Sequence, residues 1–328
     1  MNSFKKSMDI ICIGEVLIDF FAVQSGVKFR EVLEFRRIAG GAPANVAVGA
    51  SRLGRNTAFI GRVGADEFGF YLRDVLSENK VNVEMLQFDQ HSRTGLAFIS
   101  VPTPTTREIL FYRNPGADMY LDWKVFNTDL IKNTRILHFG SITLISEISK
   151  ESTLKAILTA KNSGAIISYD PNLRIDLWPD TETARKQILD VLPLADVVKI
   201  NNEELEFMTG TSDLKEGARK LLEYGIKICI VTLGAKGSFY QTSYFSGNMG
   251  TFDVLTIDST GCGDSFTSGF LSFLAGRNLE ELIADQDEII SILKTATAAA
   301  SLTSMKKGVI PSLPFKSEVE DFMNSNFL

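Results

Sequence analysis

The chain has 328 residues, enough for one large α/β domain or two smaller ones, and its hydrophobic fraction of 45% and charged fraction of 23% are those of a soluble globular protein. A net charge of −6 argues against a surface built for nucleic acid, and no segment approaches the length of a transmembrane helix, so neither a nucleic-acid nor a membrane partner is expected. Three widely spaced cysteines (Cys12, Cys229 and Cys262) point to free thiols in a reducing cytoplasm, and two histidines (His91 and His138) with no Gly-x-Ser-x-Gly elbow leave a zinc site or a Ser-His-Asp hydrolase poorly supported.

In chain order, Lys5 and Lys6 precede the apolar run Ile10–Phe21, as in a signal peptide. Glu15 and Asp19 interrupt that run and no small-residue cleavage site follows, so a buried strand is expected. Strands are expected at Ile10–Ile13, Ala58–Ile60, Ile136–Phe139, Ile166–Tyr169, Val197–Ile200 and Ile228–Thr232. Helices are expected between them, at Pro43–Leu53, Glu67–Asn79, Lys150–Lys161, Thr181–Leu192 and Leu214–Tyr224. Continuous apolar strands alternating with helices predict an α/β fold with a mainly parallel sheet covered on both faces. Pro43 suits the first turn of its helix and Gly54 its C-terminal stop. Two stretches break the rhythm, at about 20–38 and 94–117, the second reading as a hairpin around Pro102–Thr106. They predict a small separate sheet lying as a lid over the carboxyl edge of the main sheet, where open α/β sheets bind ligands. No repeat or low-complexity linker divides the chain, so residues 1–328 read as one domain.

The strongest chemical signal is Asp258-Ser-Thr-Gly-Cys-Gly-Asp264, followed by the helix-like run Ser265–Ala275. Amides at a helix N-terminus are unpaired and sit at the positive end of the macrodipole, and glycine lets an anion approach them. An aspartate beside a bound phosphate can take the proton of an attacking hydroxyl, so the pattern suits phosphoryl transfer. An Asp in a first helical turn is also often only a favourable charge at the dipole. The dinucleotide fingerprint fails because Phe266 stands where its third glycine belongs, and no Gly-x-x-x-x-Gly-Lys-Ser/Thr occurs. A second stretch, Ala39-Gly-Gly-Ala-Pro-Ala-Asn45 leading to Gly54, is a Gly-Gly turn feeding a small-residue helix, open to a ligand at Gly40 and Gly41 or simply a site of tight packing.

Together these stretches resemble the two signatures of the PfkB-type, ribokinase-like sugar kinase family: Gly40-Gly41-Ala-Pro-Ala-Asn45 with Gly61-Arg-Val-Gly64-Ala-Asp66-Glu-Phe-Gly69, and Asp258-Ser-Thr-Gly261-Cys-Gly263-Asp264. Asn201-Asn-Glu-Glu204 and Thr232-Leu-Gly234-Ala-Lys-Gly237 fall in family order, and the resemblance runs from about Ile10 to Pro314. Within the family, Gly14-Glu-Val-Leu-Ile-Asp19, Phe111-Tyr-Arg113-Asn-Pro-Gly-Ala-Asp118, His138-Phe-Gly-Ser-Ile and Tyr169-Asp-Pro-Asn-Leu-Arg174 are similar to fructokinases. The resemblance implies a ribokinase-like three-layer α/β/α fold with a β lid. It also implies transfer of the γ-phosphate of ATP to the 6-hydroxyl of fructose, giving fructose 6-phosphate.

It implies roles as well. Asp264 would be the general base, with the backbone of Gly261, Cys262 and Gly263 forming the anion hole. Asp19, Gly40, Gly41, Asn45, Arg113 and Arg174 would bind the sugar, although Arg174 could instead pair with Asp170. Thr232, Gly234, Gly237 and Asn201 would face ATP, with small residues from Ala296 to Ser301 either at the adenine or in close helix packing. Glu204 would govern Mg²⁺ through water, as the family motif implies, while Asn201 and Glu204 also suit a helix cap. Asp258 and Thr260 would take part in the K⁺ site that some members carry. Two departures stand out: Cys262 replaces an alanine, placing a thiol at a helix N-terminus, and Val309 follows Gly308 where alanine is usual, which weakens the potassium argument. The rivals are a 2-keto-3-deoxygluconate kinase, whose acidic substrate would need cations such as Arg107 and Arg113, and a catalytically silent sugar-binding member. An exposed lid edge would suit a homodimer.

Overall fold

The computed structural model of the protein describes residues 6–103 and 106–326. Its strands are β1 (Met8–Ile13), β2 (Leu17–Ala22), β3 (Phe35–Gly40), β4 (Thr57–Gly64), β5 (Leu86–Asp89), β6 (Leu96–Thr103), β7 (Thr106–Tyr112), β8 (Thr134–Phe139), β9 (Ile166–Tyr169), β10 (Val197–Asn201), β11 (Ile228–Thr232), β12 (Ser238–Gln241) and β13 (Ser246–Met249). Its helices are α1 (Ala42–Arg52), α2 (Glu67–Glu78), α3 (Thr128–Lys132), α4 (Glu147–Asn162), α5 (Thr181–Asp190), α6 (Asn202–Thr209), α7 (Leu214–Leu222), α8 (Cys262–Leu274), α9 (Leu279–Leu282), α10 (Gln286–Ser304) and α11 (Lys316–Ser325).

The apolar runs pair into a nine-stranded sheet ordered β13-β12-β11-β10-β9-β8-β1-β4-β5. All its pairings from β5 to β11 are parallel, and only β12 and β13 join antiparallel at one edge. Alternate side chains of the central strands feed two cores. Ile10, Cys12, Ile136 and Val197 pack with residues of α1, α8 and α10, while Ile11, Ile13, Leu137 and Val198 pack with residues of α4, α5 and α7. That is the expected three-layer arrangement, helices on both faces of a sheet too buried to leave either face wet. The chain steps from β1 to β4 on one side and later to β8 on the other, so the switch in strand order falls at β1, and loops diverge there to leave a crevice.

The apolar run near the N-terminus divides at Gly14: β1 stays in the central sheet and β2 leaves it. A Cβ on Gly14 would stand 2.4 Å from the Pro43 ring, so only glycine lets the first turn of α1 close over the end of β1. β2 joins a second, four-stranded sheet ordered β3-β2-β6-β7. This is the small sheet expected at 20–38 and 94–117, but it starts earlier, at Leu17, and it is mixed. β2 runs antiparallel to β3 and parallel to β6, and β6 and β7 form the hairpin. The turn expected at Pro102–Thr106 includes residues 104 and 105, which lie outside the described residues, as does Lys5. On one face of this sheet Phe20, Phe35, Phe98 and Tyr112 pack ring against ring. On the other face Ala97, Ile99, Ile109 and Phe111 look onto the crevice.

Candidate active site

A cleft of about 1220 Å³ opens at the carboxyl ends of the strands, between the small sheet and the N-terminal turn of α8. α8 starts where Gly261 adopts φ +78°, a conformation that costs glycine little, and a Cβ there would lie 2.4 Å from Val309 Cγ1. No side chain caps this helix. Residues 261–264 line the cleft, so the positive end of the helix is presented to whatever enters. The amide of Cys262 donates to the Ser259 carbonyl at 3.3 Å, so of the three expected anion-hole residues it already has an acceptor.

Asp264 sits in the first turn of α8 and is buried. Its Oδ2 accepts from Asn45 Nδ2 at 2.8 Å, joining the two sequence signatures across 219 residues of chain. Loss of water around the carboxyl pushes its pKa up to about 6, with Asp170 adding to the rise and Asn45, Lys199 and Arg174 opposing it. Asn45 projects from α1, which starts at the Gly40-Gly41 turn, and its Oδ1 is buried with no hydrogen-bond partner. A buried amide oxygen left unsatisfied is costly, so this acceptor is open to a donor that enters the cleft.

Asp19, in the middle of β2, lines the same cleft. Burial drives its pKa up to about 7; Arg174 opposes this while Asp264 and Glu15 reinforce it. Gly40 does not line the cleft but makes room for this carboxylate, since a Cβ there would fall 2.0 Å from Asp19 Oδ2. Gly41, at φ +107°, does line it. Arg174, from the loop after β9, faces the cleft and donates to the carbonyls of Asn172 and Leu173. The Arg174–Asp170 pair considered from sequence does not form; Asp170 pairs instead with Lys199 at 2.8 Å.

Arg113 departs from expectation. It does not line the cleft; its buried guanidinium is tied through Nε and Nη2 to Asp118 Oδ2. The pairing has a physical cause: the chain bends back after β7, and a buried arginine needs a carboxylate within reach. The side chain of Arg107 lies outside the described residues.

At the far end of the cleft, Thr232, Gly234 and Gly237 line the wall after β11, with Gly234 at φ +59° and Gly237 at φ +89°. Thr297, Ala300 and Ser301 from α10 line the opposite side, while Ala296 and Ala299 are buried against Gly269 of α8 and Ala298 is buried in the cluster of Leu53 and Phe252. The small-residue stretch thus divides by helix face, one side on the cleft and the other in close packing. Asn201 and Glu204 form a reciprocal capping box: Glu204 N donates to Asn201 Oδ1 at 2.8 Å, and Asn201 N donates to Glu204 Oε2 at 2.9 Å. Glu204 Oε1 accepts from the Leu173 amide, and the carboxylate is buried behind the cleft wall rather than on it. Asp258 is also engaged, Oδ1 accepting from Thr260 N and Oγ1 and Oδ2 from Gly308 N. Among the described residues no three His, Cys, Asp or Glu side chains converge as a metal cluster.

Three residues of the site were given no role from the sequence. Glu15 accepts from the Ala42 amide at 2.9 Å and pins the Gly40-Gly41 turn; burial raises its pKa to about 7. Asp170 and Lys199 form the ion pair beside α8. The signal that could have found them is the same in each case: a charged residue inside or at the end of a run that is otherwise wholly apolar.

A nucleotide-sized cleft at the switch point of an α/β sheet, with a helix N-terminus for phosphate and a carboxylate of raised pKa beside it, defines a phosphotransferase of the sugar-kinase class. The chain belongs to the pfkB family of carbohydrate kinases, whose pattern matches residues 7–316. It is 43% identical to fructokinase-2 of Solanum habrochaites over 97% of both chains. Its structure is similar to that of fructokinase with bound ATP from Xylella fastidiosa (TM-score 0.89, 31% identity, 97% and 99% of the two chains). It is also similar to a fructokinase double mutant from Vibrio cholerae solved with fructose, ADP and potassium ion (TM-score 0.85, 31% identity, 96% and 97%).

Proposed function

We propose that this protein is an ATP-dependent fructokinase that phosphorylates D-fructose at its 6-hydroxyl. The observation that carries the mechanism is Asp264. A carboxylate with its pKa near 6 is ionised at neutral pH yet basic enough to accept a proton, and it stands in the turn that binds the phosphoryl group. Fructose would lie under the small sheet with its hydroxyls on Asp19 and on the free Oδ1 of Asn45. As the 6-oxygen attacks the γ-phosphorus, its proton passes to Asp264, the bond from γ-phosphorus to the β-γ bridging oxygen breaks, and the negative charge builds against the amides of residues 261–264. The adenosine end would occupy the cleft between Thr232–Gly237 and the face of α10 carrying Thr297, Ala300 and Ser301.

Mg²⁺ would enter with ATP and neutralise charge on its phosphates. Of the expected pair only Asn201 faces the cleft and could meet the ion through water, while Glu204, both oxygens on backbone amides behind the wall, would act by holding Asn201 in place. Potassium fits less well, because the Asp258 carboxylate already closes its own loop. The small sheet would act as the lid. Its exposed edge strand β7, with Leu110 44% and Tyr112 61% exposed, would suit pairing with a second copy. No helix among the described residues is long and apolar enough to cross a membrane, and three free cysteines suit a reducing cytoplasm.

The lid also bears on the choice of sugar. Its cleft face carries Asp19, Ala97, Ile99, Ile109 and Phe111, and Arg113 is spent on Asp118, so among the described residues no lid cation faces the cleft to meet a substrate carboxylate. This favours a neutral ketose over a ketodeoxygluconate. The test is Mg²⁺-dependent ADP release from ATP across a sugar panel, with Asp264→Asn beside the wild type. Turnover with fructose that is lost in the variant is expected. Turnover with ketodeoxygluconate would overturn the substrate, and no turnover with any sugar would overturn the enzymatic reading.

A further inference from the structure

We propose that Lys199 binds the transferring phosphoryl group, acting as a fixed cation beside the amides of residues 261–264; this deepens the kinase reading and rests on it. β10 reads Val-Val-Lys-Ile-Asn, and a lysine is almost never buried in such a strand unless it is paired. By the two-residue period of a strand Lys199 shares the face of Val197, which packs on the side of α8 and α10. Its Nζ lies 2.8 Å from Asp170 Oδ2. A Cβ built on Gly263 would stand 3.1 Å from the same Nζ, so the ammonium lies against the first turn of α8, where a side chain at 263 would crowd it. Lys199, Gly263 and Asp264 line the cleft together.

The ion pair with Asp170 accounts for only one of the three N–H donors of an ammonium, and no other side-chain hydrogen bond of Lys199 falls among the described residues. Two donors are left for a ligand in the cleft that Lys199 lines. Burial lowers the pKa of the amine, but Asp170, Glu204 and Asp264 outweigh it and hold the pKa above the ordinary lysine value, so the group stays charged. The charge is needed. The N-terminus of a helix supplies about half a unit of positive charge, while the phosphoryl group approaches the ionised Asp264 and the buried Asp170. A lysine held between these carboxylates offsets the repulsion and meets the equatorial oxygens as charge moves onto them. Lys199 gives up no proton; the hydroxyl proton goes to Asp264 and the leaving group is ADP.

A merely structural lysine would neutralise Asp170 and do nothing else, and the test separates the two. Lys199→Met alone strands Asp170 and risks misfolding, so Lys199→Met/Asp170→Asn removes both charges together. The expected result is a double variant that melts cooperatively near the wild-type temperature and loses about 10²- to 10³-fold in kcat, the usual effect of removing one transition-state donor. Its KM for sugar should stay within about threefold, and Lys199→Arg should recover part of kcat. The binding readout is independent of turnover: the non-hydrolysable ATP analogue AMP-PNP should bind about tenfold more weakly while adenosine binds unchanged, since only the former carries the phosphates in question. A folded double variant with wild-type kcat and AMP-PNP affinity would overturn the proposal, as would equal losses for AMP-PNP and adenosine. A wild type that turns over no sugar refutes the kinase reading itself, and in that case the comparison of AMP-PNP with adenosine still decides whether Lys199 binds phosphate.

Discussion

Asp264→Asn separates the two costs that the site imposes, one on rate and one on stability. The substitution is nearly isosteric, and an asparagine carbonyl at 264 can still accept from Asn45 Nδ2, so the contact between α1 and α8 survives. The carboxylate base is lost, and kcat should fall by about 10²- to 10⁴-fold. Stability should move the other way. The folded pKa of Asp264 is raised from 3.8 to about 6, chiefly by loss of water, so between those values the folded protein keeps a proton that the unfolded chain has released. The stability this contributes is fully present below about pH 4 and is lost as pH rises through 6. At 1.36 kcal/mol per unit, a shift of this size corresponds to on the order of 3 kcal/mol above pH 7, roughly half that at pH 5 and almost nothing at pH 3. An asparagine carries no such penalty. Thermal unfolding of the ligand-free protein should therefore show the variant melting higher at pH 8, by about 6 °C at roughly 2 °C per kcal/mol, with the difference shrinking steadily toward pH 4. Equal melting temperatures from pH 4 to pH 8 would refute the reasoning, because they would mean that the carboxylate is not desolvated in the folded state.

Gly40→Ala should displace the Asp19 carboxylate, which its Cβ would meet at 2.0 Å; in steady-state kinetics the KM for sugar should rise at least tenfold while KM for ATP stays within about threefold, the loss expected when a buried hydrogen-bonding group is misplaced. Gly261→Ala combines φ +78° with a 2.4 Å approach to Val309 and should cost about 1–3 kcal/mol by chemical denaturation, together with most of the activity. Cys262 lies partly exposed at the start of α8 and lines the cleft, so alkylation should inactivate the enzyme and bound ATP should protect it; Cys262→Ala that remains equally sensitive would refute this.

How much of this was legible in the sequence follows from how each feature is encoded. The parallel strands announce themselves as apolar, β-branched runs, and the structure places them within a few residues of expectation. The first edge is where reading failed: β12 and β13 are short, and β13 reads Ser-Gly-Asn-Met, with neither the apolar run nor the alternation that marks a strand. They exist because β11 offers an edge to pair with, which is a tertiary fact. The lid sheet was legible as an interruption, but the parallel pairing of β2 with β6 joins segments some eighty residues apart and no local signal encodes it. Asn45 and Asp264 could be singled out because each sits beside glycines, and Asp19 because it interrupts an apolar run; the structure brings all three to one cleft. Arg113 was misread since a charge in a lid strand looks like a ligand contact until Asp118, five residues on, is seen to claim it.

The cleft places four carboxyl groups, Glu15, Asp19, Asp170 and Asp264, around the end of one helix, with Lys199 and Arg174 as the cations among them. Burial pushes Glu15 and Asp19 to about 7 and Asp264 to about 6, so ionising them is costly. An enzyme selected only for stability would have neutralised them. On the proposed reading, sugar hydroxyls would relieve the cost at Asp19 and an attacking hydroxyl would relieve it at Asp264, which would link substrate binding to the ionisation that chemistry requires. It follows that a neutral sugar should stabilise the protein more at pH 8 than at pH 5, because the carboxylates it satisfies are charged only at the higher value. The shift in melting temperature caused by saturating fructose, measured at both values, tests this directly; a larger shift at pH 5 would mean that sugar binds the protonated acids, and would remove Asp264 from the role of base in the bound complex.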